Sequence, residues 1–374
     1  MSIYVWLEKA LLGLISVFWK LFILIHEYKN IFSKRKIFKQ VQLTPAQKKQ
    51  IDAFYLENYG KKIPYWWHRL YQSYTGKFDH QYIPEIIFST RIEPETNDRI
   101  KVFQFENKNM ISVLFGSVEG IRLPRTFLFR CEGCFYDKDR CAISEKAAIA
   151  ILNAQSEEPL EAVIKKAVDS SSGRGVRFLR LHRGVDLASG EELEQIFERM
   201  GSDFVIQEKI VQHPAIEKIY PHAINTLRVI TYRVGGEYHV APIVLRIGRG
   251  GGNVDNAHAG GIFIGVKDDG TLMDEAYTEY QLRFKEHPDT HLVFDGYQLP
   301  AIDKVKEMAK KLHGQIPTTG YVSWDFSVNP DEDIVLIEAN MNSQSVWISQ
   351  MAHGESFFKE NTARILQEYG FKKH

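Results

Sequence analysis

The strongest pattern lies in the first thirty residues. Residues 3–28 are very apolar, and Ala10–Ile25 is interrupted by a single charge, Lys20. At about 100° per residue, Lys9, Ser16, Lys20 and Glu27 fall within about 20° of one line. Leu7, Leu11, Leu14, Ile15, Phe18, Trp19, Phe22 and Ile25 occupy the rest of the wheel. The spacing predicts one helix with a narrow polar stripe. Ala10–Ile25 would span about 24 Å as a helix, short of the roughly 30 Å hydrocarbon layer. Lying in a membrane interface therefore suits it better than crossing. Lys29, Lys34, Arg35, Lys36 and Lys39 follow, a cluster that favours an anionic inner leaflet. Packing on the body of the protein, or on a second copy to form an oligomer, is the alternative. No Lys or Arg precedes Lys9 and no small-residue cleavage site follows, which argues against a secretory signal.

After Thr44-Pro45, a helix-start signal, the pattern to Tyr74 is helical and polar-aromatic. Trp66, Trp67 and Tyr71 are read as core aromatics. Pro84, Pro94 and Pro124 punctuate short runs, Val102–Phe105 and Ile111–Phe115, that read as β-strands. The second half is dominated by strand alternation. The expected organisation is a helix plus basic segment (1–40), a helical and α/β region (41–150), a small subdomain (151–212) and a C-terminal subdomain (213–374).

Composition narrows the classes. The 374 residues are 44% hydrophobic and 25% charged, a normal globular balance for two or three domains. Lys+Arg and Asp+Glu both number 47, so no global field draws the chain to nucleic acid. Three cysteines exclude a disulfide framework and fit a reducing, cytoplasmic compartment. Cys131, Cys134 and Cys141 supply half of a zinc site at best, and reduced thiols are the simpler reading.

Candidate chemistry gathers after residue 160. An apolar strand ends at Lys165; the loop Ser170-Ser171-Ser172-Gly173-Arg174-Gly175 follows, and a second apolar strand begins. This is a β-hairpin whose small tip lets backbone N–H groups approach a polyphosphate. It lacks the Gly-Lys-Ser/Thr and helix start of the strand-to-helix phosphate loop. Phe204-Val-Ile-Gln207-Glu208-Lys209-Ile210 is a buried strand with a polar exit, whose backbone at Glu208 and Ile210 can meet an adenine edge. Arg228, in Asn225-Thr-Leu-Arg-Val-Ile, and Arg246 are arginines inside strand patterns, suited to a phosphate or carboxylate. A Gly/Asn-rich loop runs from Gly250 through Asn253, Asp255, Asn256 and His258 to Gly260-Gly261. Asp325 sits in one strand and Glu338 and Asn340 in the next, joined by the turn Asn329-Pro-Asp-Glu-Asp. Residues two apart share a strand face, so three oxygen ligands can gather on one sheet face, as magnesium bridging phosphates requires.

The order lysine, Gly loop, strand exit, arginine, Asp…Glu-x-Asn resembles the ATP-grasp superfamily over about residues 120–350. Gln212-His-Pro, Pro221…Asn225-Thr-Leu-Arg228 and Val254-Asp-Asn-Ala-His258 are similar to its sugar-transfer-associated members, related to the α-L-glutamate ligases. The resemblance implies an α+β fold of two subdomains clasping ATP. It gives the phosphates to Lys165, Ser171, Ser172, Gly173 and Gly175, and the adenine to the Gln207–Ile210 exit with Glu208 and Lys209. Magnesium, or manganese, falls to Asp325, Glu338 and Asn340. Arg228, Arg246 and Asn256 fall where an acyl phosphate forms, and Asn225, Asn253, His258, Gly260 and Gly261 fall on substrate. Two positions depart from the pattern: Thr226 replaces an Asp, and Met341-Asn342-Ser343-Gln344 replaces a Pro-Gly. The superfamily's first nucleotide-binding lysine has no clear counterpart, Lys138 being the candidate.

What this implies is an ATP- and magnesium-dependent ligase joining a carboxylate to an amine, with an amino acid passed to a sugar or peptide in surface-polysaccharide assembly at the inner membrane face. A small-molecule kinase would use the same ATP site, and a non-catalytic nucleotide-binding adaptor is the third class.

Overall fold

Alternating residues from position 121 onward fold into two sheets. A computed structural model of the protein describes residues 3–154, 158–168, 175–252 and 254–371, with the backbone alone at 3–10, 12–14, 16 and 104. Strand β1 is Ile121–Arg122. Then come β2 (Thr126–Cys131), β3 (Cys134–Asp137), β4 (Ala142–Ile143), β5 (Leu160–Lys166), β6 (Val176–His182), β7 (Val185–Asp186) and β8 (Phe204–Glu208). The C-terminal half adds β9 (Thr226–Val234), β10 (Glu237–Val240), β11 (Ile243–Ile247), β12 (Ile262–Val266), β13 (Ala276–Tyr277), β14 (Arg283–Phe284), β15 (Tyr321–Val328) and β16 (Ile334–Asn340). Among the described residues the smaller sheet runs β4-β3-β2-β8-β5-β6-β7 and the larger β1-β16-β15-β9-β11-β12-β13-β14, with β10 beside β9.

The small sheet begins at Thr126 rather than near residue 151, because β2 pairs with β8 and β3 folds back on β2. Its core is Leu128, Phe135, Ile164, Leu179 and Ile206 against Leu193, Ile196 and Phe197 of the helix Leu193–Met200.

The large sheet is covered on both faces, which explains why its strands read as nearly continuous apolar runs. Leu227, Val229, Trp324 and Phe326 point to one side, onto the helix Ile302–His313. Ile230, Tyr232 and Tyr321 point to the other, into a helical layer built by Ile51, Tyr55, Phe88 and Phe357. That layer starts as expected: Thr44 caps the helix Pro45–Asn58 in a reciprocal box with Gln47. Trp67 and Tyr71, on the helix Trp66–Thr75, are buried core residues.

The runs Val102–Phe105 and Ile111–Phe115 are helical, not strands. Runs of four or five residues do not fix a period. Capping decides it: Asp98 accepts the N–H groups of Ile100 and Lys101, and Asn107 accepts that of Asn109.

The first helix spans Ile3–Ser33. Its expected wet stripe is corrected at one end. Lys20 is exposed, but Glu27 is buried and accepts a hydrogen bond from Ser89 at 3.1 Å. Lys34, just beyond the helix, is buried on Glu279 at 2.7 Å. The C-terminal third is thus docked through its polar residues together with Ile31. Val17, Phe18, Leu21, Phe22 and Ile25 are exposed ahead of it. The Lys9 and Ser16 side chains lie outside the described set. Among the described residues no helix is long and apolar enough to cross a membrane.

Candidate active site

The site grows from the register of four strands. Asp325 on β15 lies opposite Arg228 on β9 and opposite Glu338 on β16. Arg246 on β11 lies opposite Thr226, two residues before Arg228. All these side chains share the face that carries Ile230 and Tyr232, at the end where the helical cover stops. There a cleft of about 500 Å³ opens between the two sheets.

Arg228 donates to Asp325 through Nε at 2.6 Å and its terminal nitrogen at 3.3 Å, and Arg246 adds a third bond at 3.1 Å. Burial alone would raise the Asp325 carboxyl; the two guanidiniums outweigh it and hold the pKa below the usual range. Arg246 also faces Asp255 at 3.3 Å, yet its buried Nε makes no hydrogen bond among the described residues. Arg246 is therefore held between two carboxylates, Asp325 and Asp255, at the cleft wall.

Two lysines complete the charge. Lys165, at the end of β5, is brought down to about 8 by burial in the cleft wall, with Glu338 opposing and Lys108 reinforcing. Lys108 lies 2.9 Å from Glu338 with its side chain 8% exposed. The sequence reading missed it. Lys138, the candidate offered instead, is an exposed hairpin residue paired with Asp139. Lys108 carries no motif; its place is set by Lys108 N–H bonding the Ala167 carbonyl, a contact between distant segments.

Glu338 and Asn340 line the same cleft as Asp325. Among the described residues no group of three His, Cys, Asp or Glu gathers for a metal. Two carboxylates plus an amide fit magnesium held jointly with phosphate oxygens rather than in an all-protein cage. The cysteines are free; Cys131 and Cys134 face each other across a hairpin.

Other expected residues divide. Glu208, Ile210 and Asn256 line the cleft. Gly175, at φ +80°, closes the neck of the β5–β6 hairpin through its carbonyl to Lys166, and a Cβ there would meet the Lys166 side chain at 2.8 Å. Ser171, Ser172, Gly173 and Asn253 lie outside the described residues. Gln207 turns to Thr126 and Lys209 to Glu161, away from the cleft. Asn225 is fully buried and ties the Ile216 and Tyr220 carbonyls, so it shapes the turn before β9. His258 is exposed and bonds Glu279 at 2.6 Å, outside the cleft lining. Gly260 accepts from Arg249, and a Cβ on Gly261 would fall 2.5 Å from the Asp255 carbonyl, so these glycines shape the loop.

The far end of the cleft is built differently. Arg99, Phe103, Glu106 and Asn107 face Asn342, Ser343, Gln344 and Ser345. Carboxylates from the helical region grip that loop: Glu106 accepts the N–H groups of Met341 and Asn342 at 2.9 and 2.7 Å. Glu93 accepts that of Gln344 at 2.7 Å, and Glu85 that of Val346 at 3.2 Å. Burial pushes Glu93 up to about 8 despite its hydrogen bond, with Glu106 and Glu27 adding repulsion.

A family described as sugar-transfer associated ATP-grasp matches residues 87–365. The chain belongs to that family. Its α+β architecture of two sheets flanking a cleft agrees with this membership. No curated protein matches the chain. Solved structures similar to this ATP-grasp protein include a D-Ala:D-Ser ligase from Enterococcus faecalis, 17% identical over 71% of this chain and 61% of that one, at a TM-score of 0.40. A D-alanine–D-alanine ligase from Helicobacter pylori is 14% identical over 72% and 59%, at 0.39. A biotin carboxylase from Campylobacter jejuni is 15% identical over 73% and 48%, at 0.41. The chain thus spans about half to two-thirds of the length of these neighbours.

Proposed function

We propose that the protein is an ATP- and magnesium-dependent carboxylate–amine ligase acting through an acyl phosphate. The observation that carries this is the convergence of Lys165, Lys108, Arg228 and Arg246 on one cleft with Asp325, Glu338 and Asn340. In the first step a substrate carboxylate oxygen attacks the γ-phosphorus of ATP, the bond to the β–γ bridging oxygen breaks, and ADP departs. In the second, an amine nitrogen attacks the acyl carbon, phosphate leaves and takes the amine proton. Lys165 and Lys108 would hold the phosphates, with Ser171, Ser172, Gly173 and Gly175 of the hairpin tip above them. The Ile210 N–H, at the strand exit beside Glu208, would meet the adenine. Arg228 and Arg246 would stabilise the developing charge, and Asn256 would orient the acyl group. Asp325, Glu338 and Asn340 would hold magnesium, which neutralises charge on the transferring phosphoryl group. His258, turned to Glu279, is assigned no proton transfer.

The acceptor end is lined by amides and hydroxyls, which suits a sugar carrying the amine or the acid. The sugar-transfer association of the family and the exposed apolar first helix support work on surface polysaccharide at the inner membrane face. The test pairs amino acids with amino-sugar and uronic-acid acceptors under MgATP, read by mass spectrometry. ADP with a product one water lighter than the summed substrates is expected. A phosphorylated product without condensation would make the protein a kinase instead.

A further inference from the structure

The bare surface of the first helix and the open end of the cleft are one continuous feature. Arg99 lines the cleft, and its guanidinium lies over the Trp19 ring, 3.8 Å from the centroid. Among the described residues Arg99 makes no ion pair and no side-chain hydrogen bond; its charge is felt by the buried Glu93. An unpaired guanidinium on an aromatic face, at the mouth of a polar cleft, offers its whole planar fork to an anion.

The residues around it are apolar and uncovered. Ile100 is 78% exposed and Phe103 is 59% exposed, on the same short helical segments as Arg99. Phe18 at 72% and Phe22 at 59% flank Trp19 on the first helix. The apolar surface therefore runs from the helix onto the lip of the cleft. Clustered exposed apolar side chains of this kind mark an interaction surface rather than scattered surface residues, and Lys20, Lys29, Lys36 and Lys39 along the same segment are exposed as well.

We propose that the acceptor end of the cleft takes the head group of an amphiphile: a phosphate-type anion seated on Arg99, joined to an apolar chain that lies along Trp19, Ile100 and Phe103. The assignment rests on the ligase reading only for which end of the cleft is the acceptor end. It explains why an apolar helix is stacked on a cleft arginine, since substrate held in a bilayer reaches the site without leaving it. Head and chain each contribute, so neither inorganic phosphate nor a neutral chain binds comparably.

The experiment uses the full chain in phosphatidylcholine nanodiscs and a dodecyl phosphate bearing a photoactivatable diazirine on its chain, with adducts mapped by mass spectrometry. Adducts are expected within residues 15–25 and 99–107, suppressed by excess dodecyl phosphate but not by inorganic phosphate or dodecanol. Arg99→Ala should cut the yield roughly tenfold, the loss of one charge-assisted contact, and Arg99→Lys should recover much of it. Competition by inorganic phosphate alone, competition by dodecanol alone, or labelling indifferent to Arg99→Ala would each overturn the proposal. So would a dimer, seen by light scattering, that buries Trp19 and excludes the probe. MgATP binding is measured on the same samples: its absence would sink the ligase reading, whereas intact MgATP binding with failed labelling sinks only the amphiphile.

Discussion

The two ends of the cleft are made in different ways. At the end assigned above to the nucleotide, Arg228, Arg246, Asp325, Glu338 and Asn340 sit on hydrogen-bonded strands of one sheet, so register fixes their separations, and Lys165 enters from the other sheet. At the acceptor end, Arg99 and Asn107 face a loop, 341–345, held in place by carboxylates that belong to the helical layer. Shared chemistry on rigid strands and selectivity on loops is an economical division, because a loop can change without disturbing the strands.

The comparison breaks most visibly at the nucleotide end. Asp325→Asn should lower ATP turnover by roughly 10²–10³-fold, the scale of losing a preorganised electrostatic group, and steady-state ADP release checks it. Retained turnover would mean the metal set lies elsewhere. Titration of Lys165 gives the next effect. Its ammonium is the form that would hold phosphate, and with a pKa of about 8 that form is lost as pH rises. MgATP affinity measured by calorimetry should fall up to about tenfold from pH 7 to 9, and Lys165→Arg should flatten the profile.

At the acceptor end the effects should leave ATP alone. Glu106→Ala frees two N–H groups of the 341–345 loop and should raise the acceptor KM about tenfold with the ATP KM unchanged. An equal rise in both would show that the two ends are not separable. Glu93 adds a stability signature. Its carboxyl is raised from 4.5 to about 8, so its contribution is full below the lower value and is lost as pH climbs through the upper one. Melting temperature should therefore fall between about pH 5 and 8, and Glu93→Gln should make that slope shallower, the remainder belonging to Glu27, Glu85 and Glu106, whose carboxyls burial also raises. The smallest effect is expected from trimming the first helix. Removing residues 1–22 should abolish vesicle co-sedimentation while changing ATP affinity less than about twofold, because the contact this part of the helix makes, Trp19 on Arg99, lies at the other end of the cleft from Lys165. Cutting to residue 40 would instead remove Ile31, Ile37 and Phe38 from the core and unfold the helical layer.

Much of the strand geometry at the Asp325 end of the cleft was legible in the chain because a strand converts spacing into direction. Glu338 and Asn340, two apart, had to share a face; the turn at 329–333 had to bring Asp325 alongside. The first helix and the cap at Thr44 were equally local. Lys108 was not legible, since a lone lysine at the first position of a short 3-10 turn carries no periodic signal, and its partner is 230 positions away. Lys209 and Gln207 turn elsewhere because neighbouring strands supply them with nearer partners, and Asn225 because the turn before its own strand does.

The sequence by itself determined which residues alternate, where helices begin and which charges cluster. Tertiary structure alone decided that Glu27 is buried, that Glu85, Glu93 and Glu106 hold a loop more than two hundred residues downstream, and that Arg99 meets Trp19 at the cleft mouth. The reason is physical: periodicity is a property of neighbours along the chain, whereas a buried carboxylate is tolerated only where distant backbone brings it a hydrogen-bond donor.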